Sequence, residues 1–206
     1  MEKKLRILAA GDLHGNIAQV ELLAKKAEEE NVDLVILTGD ITHFDRSSEN
    51  LIGPFVKKGK KVFLVPGNHE SLETISLLTE IYGIKSLHGA YYILGDIALF
   101  GCGGITQRVG PVLTLTEAEV ERLLERSHEK IKGSKKKIMV THEHPAGCII
   151  DRIIPNSGSK SIRKAVDRFQ PDLVLCGHIH EAWGIEDRIG KTRIVNVGRD
   201  GTILEI

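Results

Sequence analysis

The chain is poor in cysteine, in aromatic side chains and in net charge, and each shortage excludes something. Its 206 residues hold three cysteines, Cys102, Cys148 and Cys176, with no close pair and no Cys-x-x-Cys spacing. That excludes a disulfide framework and fits packed thiols in a reducing cytoplasm. Lys+Arg and Asp+Glu both number 28, a formal net charge of zero, which argues against a dedicated nucleic-acid or membrane-surface protein. The dense basic runs, Lys57-Lys58-Gly59-Lys60-Lys61 and Lys135-Lys136-Lys137, precede strand-like segments and read as solvated turns. Aromatic residues make up 4% of the chain, which leaves no aromatic-studded basic groove such as a processive nuclease uses. No apolar run approaches the ~18 residues needed to span a bilayer. No internal repeat, low-complexity segment or linker divides the sequence, so a single domain over 1–206 is expected. At this length such a domain buries roughly 70% of its unfolded surface and needs no staples.

What is present is an alternation of short apolar runs and amphipathic stretches. Leu5 to Ala10, Leu34 to Leu37 and Val62 to Val65 read as buried strands, each stopped by a glycine or a Pro-Gly pair. Between and after them, residues 17–30, 48–58 and 71–82 read as helices, the second weak and interrupted at Gly53-Pro54. Strand–helix alternation predicts parallel strands. The middle changes character: Ala90 to Leu94 and Ile97 to Gly101 form a hairpin around Gly95-Asp96, and Gly101-Cys102-Gly103-Gly104 opens a loop reaching Pro111. That glycine cluster lacks the spacing of a dinucleotide loop. A helix over 116–132 starts at a Thr116/Glu119 capping box. A strand at 137–140, a long loop at 143–159, a helix at 160–169 and a strand at 173–176 follow. A hairpin around Gly190 and a last strand at 202–206 complete the chain.

Five of the nine histidines stand in an ordered ladder: Gly11-Asp12-Leu13-His14-Gly15, Gly39-Asp40, Gly67-Asn68-His69-Glu70, His142 and Gly177-His178-Ile179-His180. Asp12, Asp40, Asn68, His142 and His178 lie where predicted strands end, the edge at which open α/β sheets bind ligands. Any one rung has an ordinary explanation, such as a helix cap, a turn or a packed histidine. His178-Ile179-His180 says more alone, because alternate residues of an extended segment face one way. Carboxylate, amide oxygen and imidazole at strand ends are the donors a metal centre for phosphate chemistry requires.

The ladder resembles the motif series of the calcineurin-like metallophosphoesterases, in order and over nearly the whole chain. GDLHGN, GDITHF, GSKSIRKAVDRFQPDLVLCGHIHEAWGIEDRIGKT and VNVG are similar to the small, capless, Icc-like prokaryotic branch. The resemblance implies a four-layer α/β/β/α sandwich of two mixed β-sheets. It implies two divalent metal ions, one held by Asp12, His14 and His180, the other by Asn68, His142 and His178, with Asp40 bridging. Manganese is the expected occupant, with iron or zinc the alternatives. Two carboxylates against two divalent ions leave roughly +2, which attracts an anionic substrate without any basic patch. The implied reaction is in-line attack by a metal-bridging hydroxide on a phosphate ester, a nucleotide-type phosphodiester being favoured, with His69 assisting the leaving group.

The family pattern departs at His43, where many members carry an aspartate that orients the catalytic histidine. Asp45, Glu70 or nothing could take over that task. Asn68, His43 and His144 are candidate substrate contacts. His88 and His128 read as ordinary surface residues, Trp183 as packing, and Asn196-Val197-Gly198 as support for the metal loop. The expected partner is a small phosphate ester, with no membrane and no nucleic acid indicated and a homodimer left open. Rival readings are a non-catalytic metal-binding scaffold of the same fold, a protein phosphatase, a nuclease and a cyclic-nucleotide phosphodiesterase.

Overall fold

The structure, a computed structural model, describes residues 4–46, 49–106 and 113–206. Ser47 and Ser48, the second of them the start of the helix expected over 48–58, and the part of the glycine-rich loop reaching Pro111 lie outside the described residues. In chain order the elements are β1 (Arg6–Ala10), α1 (Ile17–Glu29), β2 (Leu34–Leu37), α2 (Gly53–Lys57), β3 (Lys61–Leu64), α3 (Leu72–Tyr82) and β4 (Lys85–Ser86). After them come β5 (Tyr91–Leu94), β6 (Ile97–Cys102), α4 (Glu117–Glu129), β7 (Lys136–Thr141), α5 (Lys160–Phe169), β8 (Leu173–Cys176), β9 (Glu186–Ile189), β10 (Thr192–Asn196) and β11 (Thr202–Glu205).

Two sheets result. The first has the order β11-β1-β2-β3-β4 and the second β5-β6-β7-β8-β10-β9. The consecutive strands β1, β2 and β3 pair in parallel, as the alternation with helices requires, while β11 returns antiparallel to β1. Strand alternation builds three layers of core. Leu8, Ala10, Val35, Leu37, Val62 and Leu64 face α1, α2 and α3. Their neighbours Ile7, Ala9, Leu34, Ile36, Phe63 and Val65 turn the other way, onto Leu99, Ile138, Val140, Leu175 and Val195 of the second sheet. Val120, Leu124, Ile162 and Val166 of α4 and α5 cover that sheet's outer face. The product is the α/β/β/α sandwich of two mixed sheets. No helix among the described residues is long and apolar enough to cross a membrane.

Helix starts follow side-chain chemistry. Asn16, Ser71, Thr116 and Ser159 each accept a hydrogen bond from a first-turn backbone N–H, and Thr116 with Glu119 completes the capping box. The helix expected over 48–58 is shorter than the sequence suggests. Gly53-Pro54 begins it rather than interrupting it, because proline in the first turn forfeits no intrahelical hydrogen bond.

His88 and His128 correct the surface reading. His88 Nδ1 accepts from Gly103 N at 3.1 Å, and His128 is buried, stacked on Phe169 with ring centroids 4.0 Å apart at 8°. Burial, reinforced by Lys137 and Lys132, lowers the His128 pKa to about 4. The unfolded chain therefore takes up a proton at His128 well before the folded chain does. Its contribution to stability is intact above the unfolded pKa of about 6.5 and is lost as pH falls toward 4. Urea unfolding at about pH 7 and about pH 5 should show a smaller acid loss in His128→Phe than in wild type, and equal losses would contradict this.

Candidate metal centre

The ladder residues sit on the loops that leave the carboxyl ends of β1, β2 and β3 in one sheet and β7 and β8 in the other. Their backbone is unusual. Asp12 (φ 55°), His14 (φ 46°), Asp40 (φ 50°) and His178 (φ 69°) all occupy the left-handed region. Strained non-glycine residues of this kind cluster at functional sites. Glycines let the loops touch: a Cβ on Gly67 would lie 2.0 Å from Asp40 Oδ1, and one on Gly39, itself at φ 101°, would lie 2.7 Å from His142 Nδ1.

The predicted metal ligands converge in two groups, and His14, His43 and His69 form a third, all-imidazole one. Asp12, His14 and His180 form one, and Asp40, His142 and His178 the other, each able to bring one ligand atom per residue within 4.8 Å of the rest. Asp40 lies between them, its Oδ2 3.9 Å from His14 Nε2 and 3.5 Å from His142 Nε2. Asn68 joins the second group, its Oδ1 3.1 Å from His142 Nε2. His14 Nε2 and His180 Nε2 approach to 3.2 Å, and His180 Nε2 lies 3.8 Å from Asp12 Oδ1.

Whether these residues suit a cation can be tested on His142. Its Nδ1 is 2.8 Å from the carbonyl oxygen of Thr38, which only accepts, so Nδ1 carries the hydrogen. In the neutral ring Nε2 then presents a lone pair to two acceptor oxygens, those of Asn68 and Asp40. Only a positive charge satisfies all three, either a proton on His142 or a metal ion. In the metal-free chain it is the proton: burial opposes it, but the charge of Asp40 and the hydrogen bond to it win, raising the His142 pKa to about 10. Burial likewise disfavours charge on Asp40, yet His142 outweighs it and holds the carboxyl below its usual range. Burial lowers His14 to about 4 and His178 to about 3, so both offer lone pairs at neutral pH. Asp12 is raised, by burial first. The donor set fits divalent cations.

Further residues hold these side chains in place, among them Trp183, which the sequence had suggested was only packing. Trp183 Nε1 donates to Asp12 Oδ2 at 3.2 Å, while His178 N donates to Oδ1 at 3.2 Å, so both oxygens of that carboxylate are held. The Arg199 guanidinium lies 5.3 Å over the Trp183 ring. Asn196 Nδ2 donates to the carbonyl of Ile179 at 3.0 Å, giving the His178 loop the support expected of it. Glu70, fully buried, accepts from Gly67 N, Asp40 N, Thr42 N and Thr42 Oγ1, and so ties the loop after β2 to the loop after β3.

His69 Nε2 lies 3.9 Å from Asp40 Oδ2. Its ring is bonded neither by Glu70 nor by Asp45, whose Oδ1 accepts from Ser71 N at 2.9 Å. His43 is exposed, with its ring 5.4 Å from that of His69. His144, a candidate substrate contact, is instead fully buried, with Nε2 3.0 Å from Asp151 Oδ1 and 3.3 Å from Ser157 Oγ. There it fastens the 143–159 loop to itself. A cavity of about 530 Å³ opens at the other end of the sandwich, lined by Leu5, Leu94, Ile97, Ile206, Lys135 and Lys136, and none of the ladder residues lines it.

The family model for calcineurin-like phosphoesterases matches residues 5–182. The chain belongs to that family. Calcineurin-like phosphoesterases are binuclear metal-dependent hydrolases acting on phosphate esters, which makes this protein an enzyme of that class. Its fold is similar to that of TT1561 from Thermus thermophilus, at a TM-score of 0.80 and 16% identity over 99% of both chains. A dimetal phosphatase from Danio rerio is similar at a TM-score of 0.61 and 11% identity, over 96% of this chain and 88% of that one. A novel archaeal phosphodiesterase is similar at 0.55 and 14%, over 98% and 99%. No functionally curated protein matches the sequence significantly.

Proposed function

We propose that this calcineurin-like phosphoesterase hydrolyses a small phosphodiester at a two-metal centre. Asp12, His14 and His180 would hold one cation, Asn68, His142 and His178 the other, and Asp40 both. The carrying observation is the convergence of His142 Nε2 with the Asp40 and Asn68 oxygens, His142 Nδ1 being already committed to Thr38. Bound divalent ions supply Lewis-acid stabilisation of phosphoryl charge and lower the pKa of a water to about 7; manganese is the proposed occupant.

The chain's own residues then divide the work. Asp12, gripped through both oxygens, and His142, fixed through Nδ1, are preorganised and lose little entropy on binding a cation. Asp40, between the two groups, offsets the repulsion of two cations. His69, which sits in neither group, would carry the proton to the leaving oxygen. A diester is supported by the likeness to the archaeal phosphodiesterase and by the Arg199–Trp183 stack beside His180, a flat cationic ledge on which a second ester arm could lie.

Turnover of bis(p-nitrophenyl) phosphate by the Mn²⁺-loaded chain, faster than that of p-nitrophenyl phosphate, is the expected result. No turnover of either would sink the enzymatic assignment of these residues, and preference for the monoester would sink the diester. Trp183→Phe keeps an aromatic ring and deletes the donor to Asp12. It should weaken binding of one of the two ions by about 10- to 100-fold in a titration, leaving the other unchanged. Unaltered affinity for both would show that the indole N–H does not position Asp12.

A further inference from the structure

Among the described residues nothing bonds His69 Nδ1, and an aromatic ring instead packs on the face of the imidazole. We infer that Phe44 is the positioning residue that holds the His69 imidazole for proton transfer. The inference rests on the reading of His69 as proton donor in the proposed reaction.

Three observations carry it. The Phe44 and His69 rings stack with centroids 3.9 Å apart and planes at 22°, the tightest contact the imidazole makes with any ring around it. His69 Nδ1, the nitrogen an orienting carboxylate would take, is buried with no hydrogen-bond partner. Phe44 also holds a costly backbone, φ 52°, and Asp45 follows it at φ 59°. For a bulky side chain the left-handed region is a genuine outlier that persists only where its surroundings enforce it.

Those surroundings are visible. Asp45 N donates to the His69 carbonyl at 3.1 Å and to Thr42 Oγ1 at 3.3 Å, its carboxylate accepts from Ser71 N, and His43 bridges to Arg46 across the turn. Asp45 therefore does not touch the imidazole; it clamps the turn that lays Phe44 on it. Phe44 remains 39% exposed, so the strained turn is not repaid by burying this side chain in the core.

The consequence is chemical. In the reaction the oxygen of water forms the new P–O bond and loses a proton to solvent. The bond to the leaving oxygen breaks with its electron pair, and that oxygen takes the proton from His69 Nε2, which solvent later restores. Stacking fixes the plane of the ring without placing a negative charge on Nδ1. His69 is thus positioned by ring contact rather than by a carboxylate on Nδ1. Loss of Phe44 should cost most where the leaving oxygen most needs a proton.

The test uses the full chain loaded with Mn²⁺ and a series of aryl methyl phosphodiesters spanning good to poor leaving groups. Phe44→Ala should lower kcat by about 10- to 100-fold for the poorest leaving group and far less for nitrophenolate. Metal content should be unchanged, and Phe44→Tyr should restore the wild-type pattern. The double variant with His69→Ala should lose no more than His69→Ala alone, since the two residues act as one unit. Independently of activity, NMR of the metal-free chain should show the His69 ring resonances losing their ring-current shift in Phe44→Ala. If Phe44→Ala fails to fold, Phe44→Leu, which keeps bulk without a ring, carries the same expectations. A uniform loss across leaving groups, additivity with His69→Ala or unmoved His69 resonances would overturn the inference while leaving the phosphoesterase intact. A wild-type chain inert on every diester would bring down the proposed reaction, and the role of Phe44 with it.

Discussion

Asp40→Asn is expected to strip divalent metal from the chain and to lower phosphodiester turnover by about 10³-fold, equivalent to ~4 kcal/mol of transition-state free energy. Asparagine matches the shape of the side chain, so the close contact with Gly67 and the bond from His69 N to Oδ1 at 2.9 Å can survive. What disappears is the Asp40 negative charge lying between His14 and His142. Two divalent cations at neighbouring positions repel strongly in a partly desolvated site, and a neutral amide does nothing to offset that. Elemental analysis after gel filtration measures the loss directly. Retention of both ions by Asp40→Asn would mean that Asp40 does not bridge.

His69→Ala has the opposite signature. Metal content should be unchanged while kcat falls by about 10²- to 10⁴-fold, the range over which a positioned acid or base contributes. The separation follows from placement: His69 is excluded from the two carboxylate-containing groups although its Nε2 lies 3.9 Å from Asp40. It does share a third, all-imidazole group with His14 and His43. Parallel loss of metal and rate in His69→Ala would reassign it as a ligand.

Much of this arrangement was legible in the sequence. Apolar runs placed β2 and β8 and helical spacing placed α5, each at its observed bounds, because local periodicity reports which face is buried. The ladder itself could be read because strand ends are where an α/β sheet presents ligands. The two-residue strand β4 is too short to leave a pattern. The left-handed backbones of Asp12 and Asp40 fall on residues that are not glycine themselves, so residue type did not announce them. Glu70 reads as a polar neighbour of His69, yet it turns inward, where four donors from two loops meet on its carboxylate. Trp183 and Asp12 are 171 residues apart, and no local pattern reports a hydrogen bond across that separation. His128 escaped because a polar residue in a helix reads as exposed until the aromatic across from it, Phe169 on the next helix, is known.

The central claim is that one strand-end cluster holds two cations with Asp40 between them. The most direct measurement is the stoichiometry of Mn²⁺ binding to the metal-free full chain, read by calorimetric titration beside Asp40→Asn. The account predicts two ions per wild-type chain and binding reduced at both positions in the variant. One ion or none in the wild-type chain, or two in the variant, would contradict it.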